Sequence, residues 1–191
     1  PVPDSGTPAA IGYAEEAGIP FELGIIRNHY VGRTFIEPSQ NIRNFGVKLK
    51  HNANRAEIQG RRVILVDDSI VRGTTSQKIV QMVREAGASE VHMRIASPPT
   101  ANPCYYGIDT PSRGELLAAR LDMAGMARDI GVDSLAFVSI NGLYQAVAGA
   151  DRDSEQPQYC DACFTDEYPV PLVDLSQGRA PAQLSLLAEH G

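Results

Sequence analysis

Residues 63–75 read VILVDDSIVRGTT. An apolar, largely β-branched run leads straight into Asp67 and Asp68. A loop follows that carries Arg72, Gly73 and the hydroxyls of Ser69, Thr74 and Thr75. The run 63–66 suits a strand buried on both faces. Residues 75–86 have helical spacing, with Ile79, Val80, Val83 and Ala86 on one stripe and Gly87 as a stop. Residues 91–96 give a second strand. Strand, helix and strand in this order form a βαβ unit with parallel strands.

Working outward, Thr7–Ala17 is expected to be a helix with Thr7 as its N-cap and Gly18 ending it. Residues 21–26 are expected to form a strand, and residues 28–35 a loop. A further strand is expected over 135–138 and a short helix over 141–147. This alternation predicts an α/β domain with a mostly parallel sheet flanked by helices. Residues 151–171 are polar and contain Pro, and are read as a tail or linker.

Two carboxylates at the carboxyl end of a parallel strand stand where open α/β sheets bind ligands. The loop beyond them enters a helix N-terminus, whose free N–H groups and dipole favour a phosphate. Carboxylates repel phosphate but accept well from sugar hydroxyls. The stretch therefore fits a ribose 5′-phosphate, with Asp67 and Asp68 on the 2′ and 3′ hydroxyls and Ser69, Arg72, Gly73, Thr74 and Thr75 around the phosphate. Neither the G-x-x-x-x-G-K-[ST] nor the G-x-G-x-x-G spacing occurs in it. An isolated Asp-Asp pair would be read as an ordinary helix cap; thirteen residues in this order favour the ligand.

The formal net charge is −6, which disfavours non-specific binding to nucleic acid. Residues 27–72 carry nine basic and four acidic residues, a net of +5, and residues 105–191 carry five basic and thirteen acidic, a net of −8. A basic middle in an acidic chain is consistent with a local anion site. No apolar run has membrane-spanning length and no signal pattern opens the chain, so a cytoplasmic location is expected. The first residue is not Met, and PVPDS reads as the middle of a longer protein. Cys104, Cys160 and Cys163 are an odd set, which argues against a disulfide framework. Three thiolates suit zinc or an iron–sulfur cluster, yet are one ligand short of either.

Four further motifs accompany residues 63–75: PVPDS at 1–5, NHYVGRTFIEPSQ at 28–40, SPP with PCYYGID at 97–109, and CDACFTDEYP at 160–169. Together they resemble the phosphoribosyltransferase half of the amidophosphoribosyltransferases, the glutamine–phosphoribosyl pyrophosphate (PRPP) amidotransferases, in their iron–sulfur-containing subgroup. The resemblance covers residues 1 to about 171 and implies the type I phosphoribosyltransferase fold. It implies transfer of ammonia to C1 of PRPP, release of pyrophosphate and formation of 5-phosphoribosylamine, the first committed step of purine synthesis. By resemblance, Asp67, Asp68 and Ser5 attend Mg2+, Lys50 reaches the phosphates, and residues 28–36 form a mobile lid. Tyr30 and Arg33 of that lid belong to the catalytic set, and Tyr30 and Ile36 line the ammonia path. Arg27 and His29 replace a Lys and an Arg that are frequent in the family.

Cys104, Cys160 and Cys163 correspond to three ligands of a [4Fe–4S] cluster whose fourth Cys lies upstream of this chain. The resemblance divides the chain into a phosphoribosyltransferase domain, residues 1–150, and a cluster-binding tail, residues 151–191. It places the glutaminase domain elsewhere, so this chain alone is not expected to use glutamine. It also implies AMP and GMP as inhibitors and a homotetramer. Two rival readings are a non-catalytic PRPP or nucleotide sensor and a salvage purine phosphoribosyltransferase.

Overall fold

The structure, a computed structural model, describes residues 1–28 and 51–172. Three strands form a parallel sheet in the order β3–β4–β5: β3 (Arg62–Asp67), β4 (Glu90–Ile95) and β5 (Ser134–Phe137). Val63 pairs with Val91 and Asp67 with Ile95, while His92 pairs with Ser134 and Ile95 with Phe137. Helix α1 (Thr7–Ala17) precedes the sheet and packs against β3. A short antiparallel pair stands apart, β1 (Ile25–Arg27) with β2 (His51–Ala53), and α2 (Arg55–Ile58) follows it.

The crossover from β3 to β4 is α3 (Thr74–Glu85). The longer one from β4 to β5 holds a 3-10 turn (Arg113–Glu115), α4 (Leu117–Arg120) and α5 (Met123–Ile130). After β5 come α6 (Ile140–Ala148) and α7 (Ala162–Thr165). Among the described residues no helix is long and apolar enough to cross a membrane.

Alternation along β4 sends Val91, Met93 and Ile95 into the core and leaves Glu90, His92 and Arg94 on the other face. The buried stripe of α3, Ile79, Val80 and Val83, meets the first set together with Met126 and Ile130 of α5. A fully buried aliphatic side chain contributes about 1.5–3 kcal/mol, so this layer fixes the sheet and with it the position of the β3 end. Asp133 holds the neighbouring register. Its carboxylate accepts the Val91 N–H at 2.6 Å and the Arg84 guanidinium at 2.9 Å.

Several expectations need correction. The strand expected over 21–26 is confined to Ile25–Arg27, because only that segment finds a partner in β2. Strand β2, with the sequence His-Asn-Ala, had no apolar signal to announce it. Thr7 is the first helical residue of α1, with Gly6 at the cap and no side-chain cap bond. Strand β3 is not buried on both faces throughout: Arg62 is exposed, Val63 and Ile64 are half-buried, and only Leu65, Val66 and Asp67 are buried. Its carboxyl end is the part covered by the N-terminal turn, whose Val2 N–H bonds the Val66 carbonyl. The stretch read as a tail is docked over 151–172, through Asp161, which accepts from Tyr144, and Tyr168, which donates to the Pro103 carbonyl.

Candidate active site

Asp67 is the last residue of β3 and is buried, whereas Asp68 is exposed one residue later. The backbone turns immediately. The Asp68 N–H donates to Asp67 Oδ1 at 2.9 Å, and the Ser69 N–H to Asp68 Oδ1 at 2.9 Å. Burial is the main reason that the Asp67 pKa is pushed up to about 7, and the neighbouring Asp68 carboxyl adds to it. Ile70, 3% exposed, pins the loop to the core.

Beyond it the chain enters α3 through Gly73 at φ +83°, a left-handed conformation that favours glycine. A Cβ there would also stand 2.8 Å from Leu117 Cδ2. Gly73 is thus required first by its own backbone and by the Leu117 contact. Leu117 closes the loop from behind, its N–H donating to the Val71 carbonyl at 2.8 Å. Thr74 and Thr75 are exposed in the first turn of α3, which has neither a side-chain cap nor an acidic residue. The first N–H groups of this 12-residue helix therefore face outward with the positive end of the dipole.

The N-terminal turn is brought to the same corner by backbone contact. The Val2 N–H donates to the Val66 carbonyl at 2.8 Å, and the Gly6 N–H to the Val2 carbonyl at 3.0 Å. A Cβ on Gly6 would lie 2.4 Å from the Val66 oxygen and 3.1 Å from the Asp67 Cα, so only glycine permits this approach. Asp4 and exposed Ser5 are carried to the strand end as a result. Arg27, at the end of β1, forms an ion pair with Asp4, which ties the segment leading to residue 28 to this turn.

Of the residues read as a phosphate cradle, Ser69, Gly73, Thr74 and Thr75 share the loop and helix entrance. Arg72 does not face them freely. Its guanidinium pairs with Glu115 at 3.1 Å, and Glu115 also accepts from Ser112. Tyr30, Arg33, Ile36 and Lys50 lie outside the described residues. Among the described residues no group of three or more His, Cys, Asp or Glu is arranged to hold a metal ion. Asp67, Asp68 and Ser5 nonetheless offer the oxygen donors that a hard cation such as Mg2+ takes.

The thiols form a second focus. All three are free. Burial raises the Cys163 pKa, and Cys104 and Cys160 lie close enough to raise it further. The Tyr106 N–H donates to Cys104 Sγ at 3.4 Å. The N–H groups of Ala101 and Asn102 both donate to the Cys163 carbonyl at 3.0 Å, and Tyr168 Oη donates to the Pro103 carbonyl at 2.7 Å. Three thiols in one neighbourhood are soft donors of the kind a thiophilic centre takes. Sequence reasoning missed Leu117, the Arg72–Glu115 pair and the hydrogen bonds of Asp161; Glu115 stands 43 residues from Arg72, and Tyr144 17 residues from Asp161, so neither pair leaves a local pattern.

No family model matches the chain. It is 65% identical to the amidophosphoribosyltransferase of Rhizobium etli, an alignment that takes in 100% of this chain and 39% of the relative. It is 54% identical to the Bacillus subtilis amidophosphoribosyltransferase over 90% of the chain and 36% of the relative. Among solved structures, the B. subtilis glutamine PRPP amidotransferase complexed with ADP and GMP superposes with a TM-score of 0.77 at 54% identity. That match covers 88% of this chain and 37% of the other. A structure described as the allosteric regulatory enzyme of purine biosynthesis gives 0.76 at 53% identity, covering 89% and 36%. The chain spans well under half the length of these relatives, and with the type I phosphoribosyltransferase fold that it shares with them it belongs to the amidophosphoribosyltransferase family.

Proposed function

We propose that this chain supplies the PRPP site of an amidophosphoribosyltransferase: ammonia attacks C1 of PRPP, the C1–pyrophosphate bond breaks, and 5-phosphoribosylamine forms. The observation that carries this reading is the corner itself. A buried and an exposed carboxylate end a parallel strand, the turn 2–6 is bonded to that strand, and an uncapped helix N-terminus lies just beyond. Asp67 and Asp68 accept from the ribose hydroxyls and fix the ring, while amides of residues 69–75 hold the 5′-phosphate. Asp67, Asp68 and Ser5 would hold Mg2+, whose charge makes pyrophosphate a better leaving group. Holding the ribose at both ends leaves C1 as the free position, so the chain contributes orientation rather than proton transfer.

Ammonia is drawn from glutamine by the part of the family's members that this chain does not span. Purine nucleotides, AMP and GMP, are the proposed inhibitors, in keeping with the ADP and GMP held by the B. subtilis neighbour. Tyr30 and Arg33 are proposed for the lid and Lys50 for phosphate contact. A homotetramer and a cytoplasmic location complete the reading. Cys104, Cys160 and Cys163 would hold a [4Fe–4S] cluster with one Cys from outside the chain, and its chemistry here is a structural cross-link rather than electron transfer.

The test is PRPP-dependent phosphoribosylamine formation from ammonia by the full-length protein. Asp67→Asn and Asp68→Asn are each expected to lower kcat/KM by about 100-fold or more. Rates equal to wild type would remove these carboxylates from the reaction. PRPP binding without pyrophosphate release would favour the sensor reading, and pyrophosphate release driven by a purine base the salvage one.

A further inference from the structure

Asp161 lies between Cys160 and Cys163, and it is 4% exposed. Its carboxylate is reached from three directions. Arg152 donates from Nε and from Nη2, the latter at 3.3 Å to Oδ1. Tyr144 Oη on α6 donates to Oδ2 at 3.0 Å, and Thr165 Oγ1 on α7 to Oδ1 at 3.1 Å. Arg152 is itself only 10% exposed and also pairs with Glu167, while Tyr144 Oη lies 3.2 Å from the Tyr159 carbonyl, one residue before the first thiol.

A buried carboxylate is costly unless paired and fully hydrogen-bonded, and this one is. The reading of the PRPP reaction above gives it no role, and its hydrogen-bond partners are Arg152, Tyr144 and Thr165.

We propose that Asp161, with Tyr144, Arg152 and Thr165, positions the Cys160–Cys163 pair for its cluster. The side chain between the two thiols is anchored to α6 and α7, so the pair is held at a set place before any iron arrives. Cys104 is brought to the same region separately, by the bonds of Ala101, Asn102 and Tyr168 that join its loop to residues 163–168. Partners that fix the ligand-bearing backbone set how long a metal centre survives, and their loss costs about 10–100-fold in metal affinity.

This inference rests on the cofactor reading above, and its test separates the two. The full-length protein is reconstituted with ferrous iron and sulfide, and iron release to a chelator is timed. Tyr144→Phe and Thr165→Val each remove one hydroxyl with little change of shape. Each is expected to lose iron about tenfold faster than wild type and to alter the reduced cluster's paramagnetic resonance spectrum. Thr165→Ser restores the hydroxyl and is expected to return both readouts to wild type, which a role limited to packing the Thr methyl would not do. Wild-type release rates and spectra in Tyr144→Phe and Thr165→Val would overturn the positioning role while leaving the cluster in place. A wild-type protein that takes up no iron and sulfide would instead remove the cofactor reading, and this inference with it.

Discussion

Asp67 and Asp68 are neighbours in sequence with opposite surroundings, and the difference sets what each can do. Buried Asp67 has a pKa of about 7, against about 3.9 for an unfolded aspartate. Between those values the folded free protein holds a proton that the unfolded chain has lost. The stabilisation linked to that proton is full below about pH 4 and fades as pH rises through 7. On the proposed function, binding of Mg2+ and PRPP requires the carboxylate, so it is expected to release a proton near neutrality and to tighten from pH 6 to pH 8. Calorimetry in buffers of different ionisation enthalpy reads the proton directly; affinity independent of pH over this range would contradict the assignment.

Gly6 makes a second prediction at this scale. Gly6→Ala places a Cβ 2.4 Å from the Val66 carbonyl oxygen, which the turn can relieve only by leaving the strand end. PRPP affinity in the full-length protein is expected to fall by about tenfold or more, with the fold retained by circular dichroism. Unchanged affinity would separate residues 2–6 from the site.

At the scale of elements, β3 and its helix stand where they do because β4 and the α3 stripe form one apolar layer. Met93 is fully buried in that layer, so Met93→Ala is expected to cost about 2–5 kcal/mol in denaturant unfolding. A cost under about 0.5 kcal/mol would mean that the layer does not support the strand end. These elements were legible in the sequence because their signals are local: β-branched runs, a 3.6-residue stripe and Gly stops gave β3, α3 and β4 within a residue or two. The twin acid and its hydroxyl-rich loop were legible for the same reason. β2 was not, since His-Asn-Ala becomes strand only by pairing with Ile25–Arg27. Nor was the turning of Arg72 toward Glu115, 43 residues away. Glycine chemistry was half legible: a glycine at 73 was expected for phosphate access, and Leu117 and the backbone demand it first.

On the scale of the whole molecule, two polar foci are built on one framework. One is the β3 corner. The other joins residues 97–110, α6 and the docked stretch 151–172, which composition alone presented as a tail. A staple of tyrosines holds that stretch: Tyr168 packs against Tyr105 at 5.2 Å between ring centroids and donates to the Pro103 carbonyl. Tyr168→Phe keeps the ring and loses the bond, and is expected to cost about 1 kcal/mol in denaturant unfolding. No measurable cost would show that the ring contacts alone hold the segment.

The reading of the whole chain turns on the corner where β3, the turn 2–6 and α3 meet. The most direct measurement is a crystal structure of the full-length protein with Mg2+ and a carbocyclic PRPP analogue that cannot react at C1. The predicted result places the ribose hydroxyls on Asp67 and Asp68 and the 5′-phosphate on the amides of residues 69–75. An analogue bound elsewhere, with both carboxylates facing only solvent, would contradict the account.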